Sequence, residues 1–238
     1  MRMVDLDIHT HSISSGHGTK DTVTDMIREA ARRGLKTLGI TEHGPATPGA
    51  PKPSYFRSLS AAPRRRFGIN VLYGAEVNIL EGGETDLEDD ILSGLDLVIA
   101  SMHAPPRKNK GTVRQNTDDY LKAMKNRYVR ILGHCDNTQF PVFYDEIVRG
   151  AAECSVIVEI NESSLIQGGC HQISGIDTKE NYMTLLSLCR QFRVPVLLSS
   201  DSHGLERIGS VSEAEKLIAR SGFPGSLIVN RNPELLLT

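Results

Sequence analysis

Residues 4–11 read Val-Asp-Leu-Asp-Ile-His-Thr-His. The alternation of apolar and polar side chains predicts a β-strand with one buried face, which we place at Val4–His9. The strand runs into a His-x-His pair, and side chains two residues apart in an extended chain face the same side. This spacing allows His9 and His11 to reach one metal ion.

Short runs rich in Val, Ile and Leu predict further strands, with helical patterns between them. The predicted strands are Lys36–Thr41, Asn70–Val77, Leu95–Met102, Val129–Gly133, Val156–Asn161, Val194–Ser200 and a weaker one at Leu227–Asn230. Three helices are predicted. The first starts at Val23 and stops at Gly34, the second covers about Thr178–Phe192, and the third runs from Val211 to a stop at Gly222. Two segments rich in turn-forming or polar residues, Gly44–Pro63 and Pro105–Asn116, are predicted to be long loops.

This alternation of strands and helices is typical of βα units around a parallel sheet. Seven good strands without a Gly-rich dinucleotide motif favour a barrel over an open nucleotide-binding sheet. The fold class is therefore predicted to be α/β, a TIM-like barrel. The length of 238 residues fits one such domain, and we assign it to residues 1–238.

Charge and hydropathy exclude several classes of protein. Lys+Arg 27 against Asp+Glu 29 gives a formal net charge of -2, whereas nucleic-acid binders carry a basic face. No apolar segment approaches the roughly 20 residues of a membrane span, and acidic residues occupy the N-terminus where a signal peptide is apolar. The four cysteines are scattered without a Cys-x-x-Cys motif. We therefore expect a cytoplasmic protein that does not act on membranes, and the charge argues against a protein that binds nucleic acid through a basic face.

Seven of the eight histidines stand at or just after the C-terminal end of a predicted strand, and only His171 does not. In a parallel barrel these ends converge on the face where active sites lie. Two carboxylates, Glu76 and Asp201, stand at equivalent positions. Imidazole and carboxylate together suit zinc, iron or manganese. The predicted metal ligands are His9, His11, His17, His43, Glu76, His103, His134, Asp201 and His203.

Nine ligands are too many for one ion, because catalytic zinc takes about three protein ligands. Three divalent ions, zinc first among the candidates, are the natural division if one carboxylate bridges. Such a site would carry a net charge of about +3 with its carboxylates and a hydroxide, which suits a phosphate monoester dianion. An aspartyl-nucleophile motif that begins at Asp5 would need Thr or Val at its fifth position, where this sequence has His9. Neither a thiol-phosphatase motif nor a phosphate-binding P-loop occurs.

These motifs resemble those of the PHP (polymerase and histidinol phosphatase) family, and within it the YcdX-type phosphatases. The resemblance covers the chain from Asp5 to about Leu236. It rests on His9-Thr10-His11 with His17, Thr41-Glu42-His43-Gly44-Pro45, Gly74-Ala75-Glu76-Val77-Asn78, Leu95–Ala100, His103, Gly133-His134, Glu159–Ser164 and Ser200-Asp201-Ser202-His203. It implies a distorted (β/α)7 barrel that holds a trinuclear metal centre.

The resemblance also implies how the ligands divide among the ions. His9, His11, Glu76 and Asp201 would hold the first, Glu76, His103 and His134 the second, and His17, His43 and His203 the third. Two departures bear on the substrate: Cys135-Asp136 stand where these phosphatases continue into Pro-Gly, and the Arg107–Arg114 loop has no clear counterpart.

The leading hypothesis is a phosphomonoesterase in which a metal-bridging hydroxide attacks phosphorus. Glu76 would bridge two ions, and Asp201 or His203 could help to protonate the leaving group. Arg107, Lys108 and Arg114 are either a clamp for a small phosphorylated substrate or a solvated loop.

The alternatives are a phosphodiesterase or exonuclease on the same ions, a histidinol-phosphate phosphatase, and a metal-binding module without catalysis. A homo-oligomer remains open. Asp5, Asp7 and Asn161 are candidates for orienting the imidazoles. For Glu42, beside His43, the sequence favours neither this role nor that of an ordinary polar residue at the barrel mouth.

Overall fold

A sheet of parallel strands forms the centre of the computed structural model, which describes residues 5–166 and 178–236. His171 and Cys170 lie outside the described residues. The strands of the described part are β1 (Leu6–Asp7), β2 (Thr10–His11), β3 (Thr37–His43), β4 (Arg65–Arg66), β5 (Ile69–Asn78), β6 (Leu97–Ser101), β7 (Ile131–Leu132), β8 (Ile157–Asn161), β9 (Val196–Ser199) and β10 (Ser202–His203).

Helices connect these strands. They are α1 (Val23–Arg32), α2 (Pro53–Ser58), α3 (Asp89–Leu92), α4 (Val113–Ala123), α5 (Tyr144–Cys154), α6 (Glu162–Leu165), α7 (Thr178–Phe192) and α8 (Ser212–Ser221). The helices α1 and α4 each begin with a capping box, in which Thr22 and Thr112 accept from the third residue of the helix. No helix of the described part is both long and apolar enough for a membrane span.

The main sheet has the order β1-β3-β5-β6-β7-β8-β9, with all neighbours parallel, and the short β4 pairs antiparallel with β5. The two outer strands of this order approach each other, because their continuations β2 and β10 pair in parallel. The predicted distorted (β/α)7 barrel is confirmed.

The side chain of Asn230 bridges β1 and β9, the two outer strands of the main sheet. Its Nδ2 donates to the carbonyls of Leu6 at 3.3 Å and Leu198 at 2.7 Å, and its Oδ1 accepts from the backbone N of Leu198 at 2.8 Å. A single amide thus joins β1 to β9 where no backbone ladder is formed. The weaker strand predicted at Leu227–Asn230 is wrong in extent, because a 3-10 helix covers Gly225–Leu227 and only Ile228 pairs with β9.

Two apolar clusters lie on the two faces of the sheet. Alternate residues of β6 divide between them, with Leu97 and Ile99 in one and Val98 and Ala100 in the other. The buried members of the smaller cluster include no α-helical residue, so we place that cluster inside the barrel. The larger cluster packs the sheet against the helices.

The first predicted strand is interrupted at Ile8–His9, between β1 and β2. Ile8 belongs to the inner cluster, so an unbroken strand would direct His9 to the outer face. The interruption therefore allows the adjacent side chains of Ile8 and His9 both to face the barrel interior. The Gly44–Pro63 loop also differs from expectation. Pro53 starts α2 at the first helical position, and the buried Phe56 anchors that helix.

Candidate metal centre

The strand register brings the predicted ligands together in pairs. His43 of β3 lies directly opposite Glu76 of β5, and His203 of β10 lies opposite His11 of β2. These pairs sit at the C-terminal ends of their strands, where the parallel barrel opens. The strand register therefore brings these four predicted ligands to the same end of the barrel.

Glu76 lies at the middle of the cluster and is 1% exposed. Five imidazoles surround its two oxygens. The nitrogen-to-oxygen distances are 3.3 Å for His9 Nε2, 3.5 Å for His11 Nε2, 2.7 Å for His43 Nδ1, 3.3 Å for His103 Nε2 and 2.9 Å for His134 Nε2. One carboxylate with this many nitrogen neighbours has the position that a bridging ligand requires.

Asp201 supplies the second carboxylate. Its Oδ1 lies 3.3 Å from His11 Nε2 and 3.7 Å from His9 Nε2. The backbone of Asp201 is left-handed, with φ of 50°, and His134 has φ of 26°. Residues other than glycine adopt this conformation at a cost of about 1–3 kcal/mol each and often do so at functional sites.

His17, His43 and His203 form the outer part of the cluster. The ring of His17 is exposed and lies 4.8 Å from that of His43 and 5.0 Å from that of His203, centroid to centroid. His43 Nε2 and His203 Nε2 are 3.3 Å apart. His43 also faces Glu76, so it stands between the outer and the central parts of the cluster.

The residues present fit divalent cations. The Nε2 atoms of His9 and His11 are buried, form no hydrogen bond, and point toward carboxylate oxygens. Buried polar atoms without partners are uncommon and costly, whereas a cation between them would satisfy nitrogen and oxygen together. The possible ligand atoms form three groups, and within each group they lie within 4.8 Å of one another. The groups are His9, His11 and Glu76; His43, Glu76 and His103; and His11, His43 and His203.

The electrostatics of the cluster favour positive charge. Burial raises the pKa of the Glu76 carboxyl, but the neighbouring imidazoles, His103 first, lower it further, so it lies well below its ordinary value. Burial lowers the pKa of His9, but Glu159, Glu76 and Asp201 together raise it well above the ordinary value. Burial lowers the pKa of His43 to about 4. Metal binding requires a charged carboxylate and a neutral imidazole, so a cation at this site would take the place of the proton that the carboxylates favour on His9.

Glu159 is a buried carboxylate beside the candidate ligands, and the strand-end argument missed it. It is fully buried, and its Oε1 lies 2.5 Å from His9 Nδ1 and accepts from Ser199 Oγ. Its Oε2 accepts from the backbone N of His134 at 2.7 Å and from Asn161 Nδ2 at 3.1 Å. A charged residue inside the apolar run Val156–Asn161 was the available signal, because a carboxylate is buried only with partners.

A similar arrangement holds His103. Its Nδ1 lies 2.8 Å from Asn78 Oδ1, and Asn78 in turn donates to Asp86 Oδ2 at 2.7 Å. Asp86 also accepts from the backbone N of Ala46 at 2.9 Å. The ring of His103 is thereby turned so that Nε2 faces Glu76.

None of the three predicted orienting residues accepts a hydrogen bond from an imidazole of the described part. Asp5 is half-buried and pairs with Lys36. Asp7 is buried but accepts from Ser200 Oγ, Ser200 N and Gly209 N, so it holds the loop after β9 and no imidazole. Asn161 bonds to Glu159 and Asp201, so it supports the ligands through carboxylates.

Of the two alternatives for the Arg107–Arg114 loop, the structure favours neither a clamp nor, at Arg107, a solvated side chain. Arg107 is 4% exposed and pairs with Asp119 at 2.7 Å, and Arg114 pairs with Glu146 at 2.9 Å. Lys108 is exposed and does not line the cavity over the metal centre. The carboxylates that neutralise these arginines come from α4 and α5, and their approach was not visible in the sequence. Cys135 and Asp136 are buried as well, so that departure lies behind the wall of the site.

A cavity of about 860 Å³ opens over the histidine cluster, and His17, His43, His103, Asp201 and His203 form part of its wall. Phe140, Pro105 and Leu205 add apolar surface, and Asn137 and Gln139 add amides. Arg207 is the one lysine or arginine among the described lining residues. Its guanidinium forms no ion pair with the described residues, and the sequence argument missed it because it follows the His203 motif in an ordinary loop.

Comparisons with known proteins agree with this architecture. The family model described as PHP domain matches residues 7–163. A probable phosphatase from Clostridium novyi is 38% identical over 98% of this chain and 93% of its own length. A probable phosphatase from Syntrophotalea carbinolica is 34% identical over 98% of this chain and 94% of its own length.

Among solved structures, histidinol phosphate phosphatase from Lactococcus lactis, complexed with zinc, L-histidinol and phosphate, has the same fold, with a TM-score of 0.62 and 21% identity. The alignment covers 92% of this chain and 94% of that one. With the match to residues 7–163 and relatives of this similarity along nearly the whole chain, this chain belongs to the PHP family.

Proposed function

We propose that this protein is a metal-dependent phosphomonoesterase with a trinuclear centre. One observation carries the proposal: seven imidazoles and two carboxylates meet at the mouth of the barrel, beneath a cavity large enough for a small organic substrate. The relatives named as probable phosphatases support the same activity.

The ligand set His9, His11, Glu76, His103, His134, Asp201, His17, His43 and His203 would hold three divalent ions. Mixed imidazole and carboxylate donors suit zinc first, with manganese or iron as alternatives. When bound, such ions polarise the phosphoryl oxygens and make water nucleophilic near neutral pH. The described ligand side chains lie at the C-terminal ends of the barrel strands or in the loops beside them.

The chain's own residues divide the remaining tasks. Glu76 holds negative charge at the centre of the imidazoles and keeps them together. His203 lines the cavity with 17% of its side chain exposed, whereas the side chain of Asp201 is 2% exposed and lies 3.3–3.7 Å from nitrogens of His9, His11 and His203. Because both residues are proposed ligands, we assign proton delivery to the leaving group to a water in the cavity beside His203 rather than to either side chain.

The outer cavity would receive the leaving group. It is several times larger than a phosphate group, and Phe140 and Pro105 provide apolar surface for an organic moiety. Arg207 is exposed at the outer end, whereas Asp201 and His43 lie buried at the bottom. We propose that Arg207 attracts a second anionic group on the leaving group, with the neighbouring Glu206 limiting the net charge of this wall.

Two broader proposals accompany the activity. The residues after the family match, 164–236, supply β9, Asp201 and His203 to the same site, which supports a single PHP domain over residues 1–238. The described cysteines Cys135, Cys154 and Cys189 are free thiols, which supports a reducing cytoplasmic setting.

A substrate panel tests the activity. Zinc- and manganese-loaded protein should release phosphate from p-nitrophenyl phosphate and from several sugar and amino-alcohol phosphates, L-histidinol phosphate included. It should leave bis-p-nitrophenyl phosphate and single-stranded oligonucleotides intact. Glu76→Gln, prepared in the same way, controls for contaminating phosphatases and should be inactive. Cleavage of the diesters without monoester hydrolysis would replace the proposal with a phosphodiesterase.

A further inference from the structure

Another buried carboxylate, Glu42, lies beside the histidine cluster without a hydrogen bond or ion pair to the described imidazoles. It accepts from the backbone N of Ser12 at 3.1 Å, from Ser12 Oγ at 2.5 Å and from Ser15 Oγ at 2.5 Å. All three residues are fully buried. A carboxylate is costly to bury unless several donors surround it, so these contacts indicate a specific role for Glu42.

Ser15 transmits this arrangement to two histidines. Its Oγ lies 3.0 Å from His11 Nδ1 and accepts from the backbone N of His43 at 3.2 Å. A hydroxyl has one proton and two acceptor positions, and the proton is directed to Glu42. The acceptor positions therefore receive His11 Nδ1–H and His43 N–H. His11 is held in one tautomer, with Nε2 as its ligand atom.

The Glu42 carboxylate also stabilises the short loop that carries His17. Ser12, bonded to Glu42 twice, caps the 3-10 helix Ile13–Ser15 by accepting a backbone N–H at 3.1 Å. Gly16 then turns the chain with φ of 83°, and a Cβ there would lie 2.2 Å from a backbone oxygen of the facing loop. His17 follows directly. Both ends of the 3-10 helix before His17 are thus tied to one side chain.

We propose that Glu42 and Ser15 are positioning residues of the metal centre. They set the tautomer of His11 and fix the placement of His43 and His17, although neither touches substrate. The inference rests on the proposed function only to the extent that these histidines bind metal ions. It assigns a role to a residue that the sequence left ambiguous.

Zinc binding by Ser15→Ala and Glu42→Gln tests the proposal, with Ser164→Ala as the matched control. Ser164 is also a fully buried serine whose Oγ donates to a carboxylate, that of Asp136 at 3.3 Å, away from the imidazoles. Competition with a chelator should show about 10- to 100-fold weaker binding of the ions held by His11 and His43 in the two test variants. The ion beside His134 should be retained, and the control should match wild type.

A spectroscopic measurement separates positioning from general damage to the fold. Nitrogen-15 spectra of metal-free protein labelled at histidine should show His11 as the Nδ1–H tautomer in wild type and Ser164→Ala, and as a mixture in Ser15→Ala. Unchanged zinc affinity and tautomer in Ser15→Ala would overturn the proposal. Zinc binding by wild type without hydrolysis of any phosphomonoester would instead overturn the proposed function and leave this inference standing.

Discussion

Replacing Glu159 by glutamine should weaken metal binding without contact between the altered residue and a metal ion. Glu159 accepts four hydrogen bonds, from His9, His134, Asn161 and Ser199. Glutamine keeps the shape but removes the charge, and it offers an amide NH2 where an oxygen accepted before. The imidazole of His9 then loses the acceptor that fixes its Nδ1–H.

The magnitude follows from the hydrogen bond between Glu159 and His9. A hydrogen bond to a charged group contributes about 1.5–3 kcal/mol, and each 1.4 kcal/mol is about tenfold in an equilibrium constant. Zinc affinity at the site that includes His9 should therefore fall about 10- to 100-fold, and kcat/KM measured at a fixed, limiting free zinc concentration should fall in parallel. Excess zinc should restore part of the activity.

Competition between the protein and a fluorescent zinc chelator provides the assay, and Glu162→Gln provides the control. Glu162 is 2% exposed and accepts from Ser212 Oγ at 3.1 Å and from the backbone N of Ala214 at 2.9 Å, at the start of α8. Its replacement should lower stability in urea but leave zinc affinity unchanged. The reasoning is refuted if the two variants lose stability equally and both retain the zinc affinity of wild type.

Three further predictions concern other parts of the molecule. Arg207→Ala should lower kcat/KM for phosphomonoesters with a second anionic group and leave p-nitrophenyl phosphate hydrolysis unchanged, whereas Arg220→Ala on α8 should change neither; equal losses for both substrates would contradict this assignment. Gly18→Ala should cut activity more than tenfold, because its Cβ would lie 2.6 Å from a ligand imidazole, whereas Gly68→Ala, with the same φ of 82° and open space, should stay active. Arg32 and Arg33 lower the pKa of Glu29 to about 2. Glu29 therefore stabilises the fold above pH 4.5 and loses this effect as the pH falls toward 2. Thermal unfolding of Glu29→Gln should therefore show a lower Tm than wild type at pH 7 and an equal Tm near pH 2.

The positions of the predicted ligands could be inferred from the sequence because a parallel barrel converts strand ends into neighbours. His43 and Glu76 are separated by a whole βα unit, yet they lie directly opposite each other in the sheet. The helices α1, α7 and α8 were predicted because their apolar stripes and their stop signals, such as Gly34 and Gly222, are local properties.

The partners of the ligands could not be inferred in the same way. Whether Arg107 meets a phosphate or Asp119 depends on how α4 packs against the barrel, which no local pattern records. The break at Ile8–His9 depends on closure of the barrel by the pairing of β2 with β10. Glu159 sits in the middle of an apolar strand, and its role becomes evident only when His9 is placed 150 residues away in sequence and 2.5 Å away in space.

A titration of metal-free protein with zinc, followed by phosphate release from p-nitrophenyl phosphate, tests whether the clustered side chains form a trinuclear catalyst. The account predicts no activity before metal is added and a plateau reached at three equivalents per chain. Full activity of the metal-free protein, or a plateau at one equivalent, would contradict it.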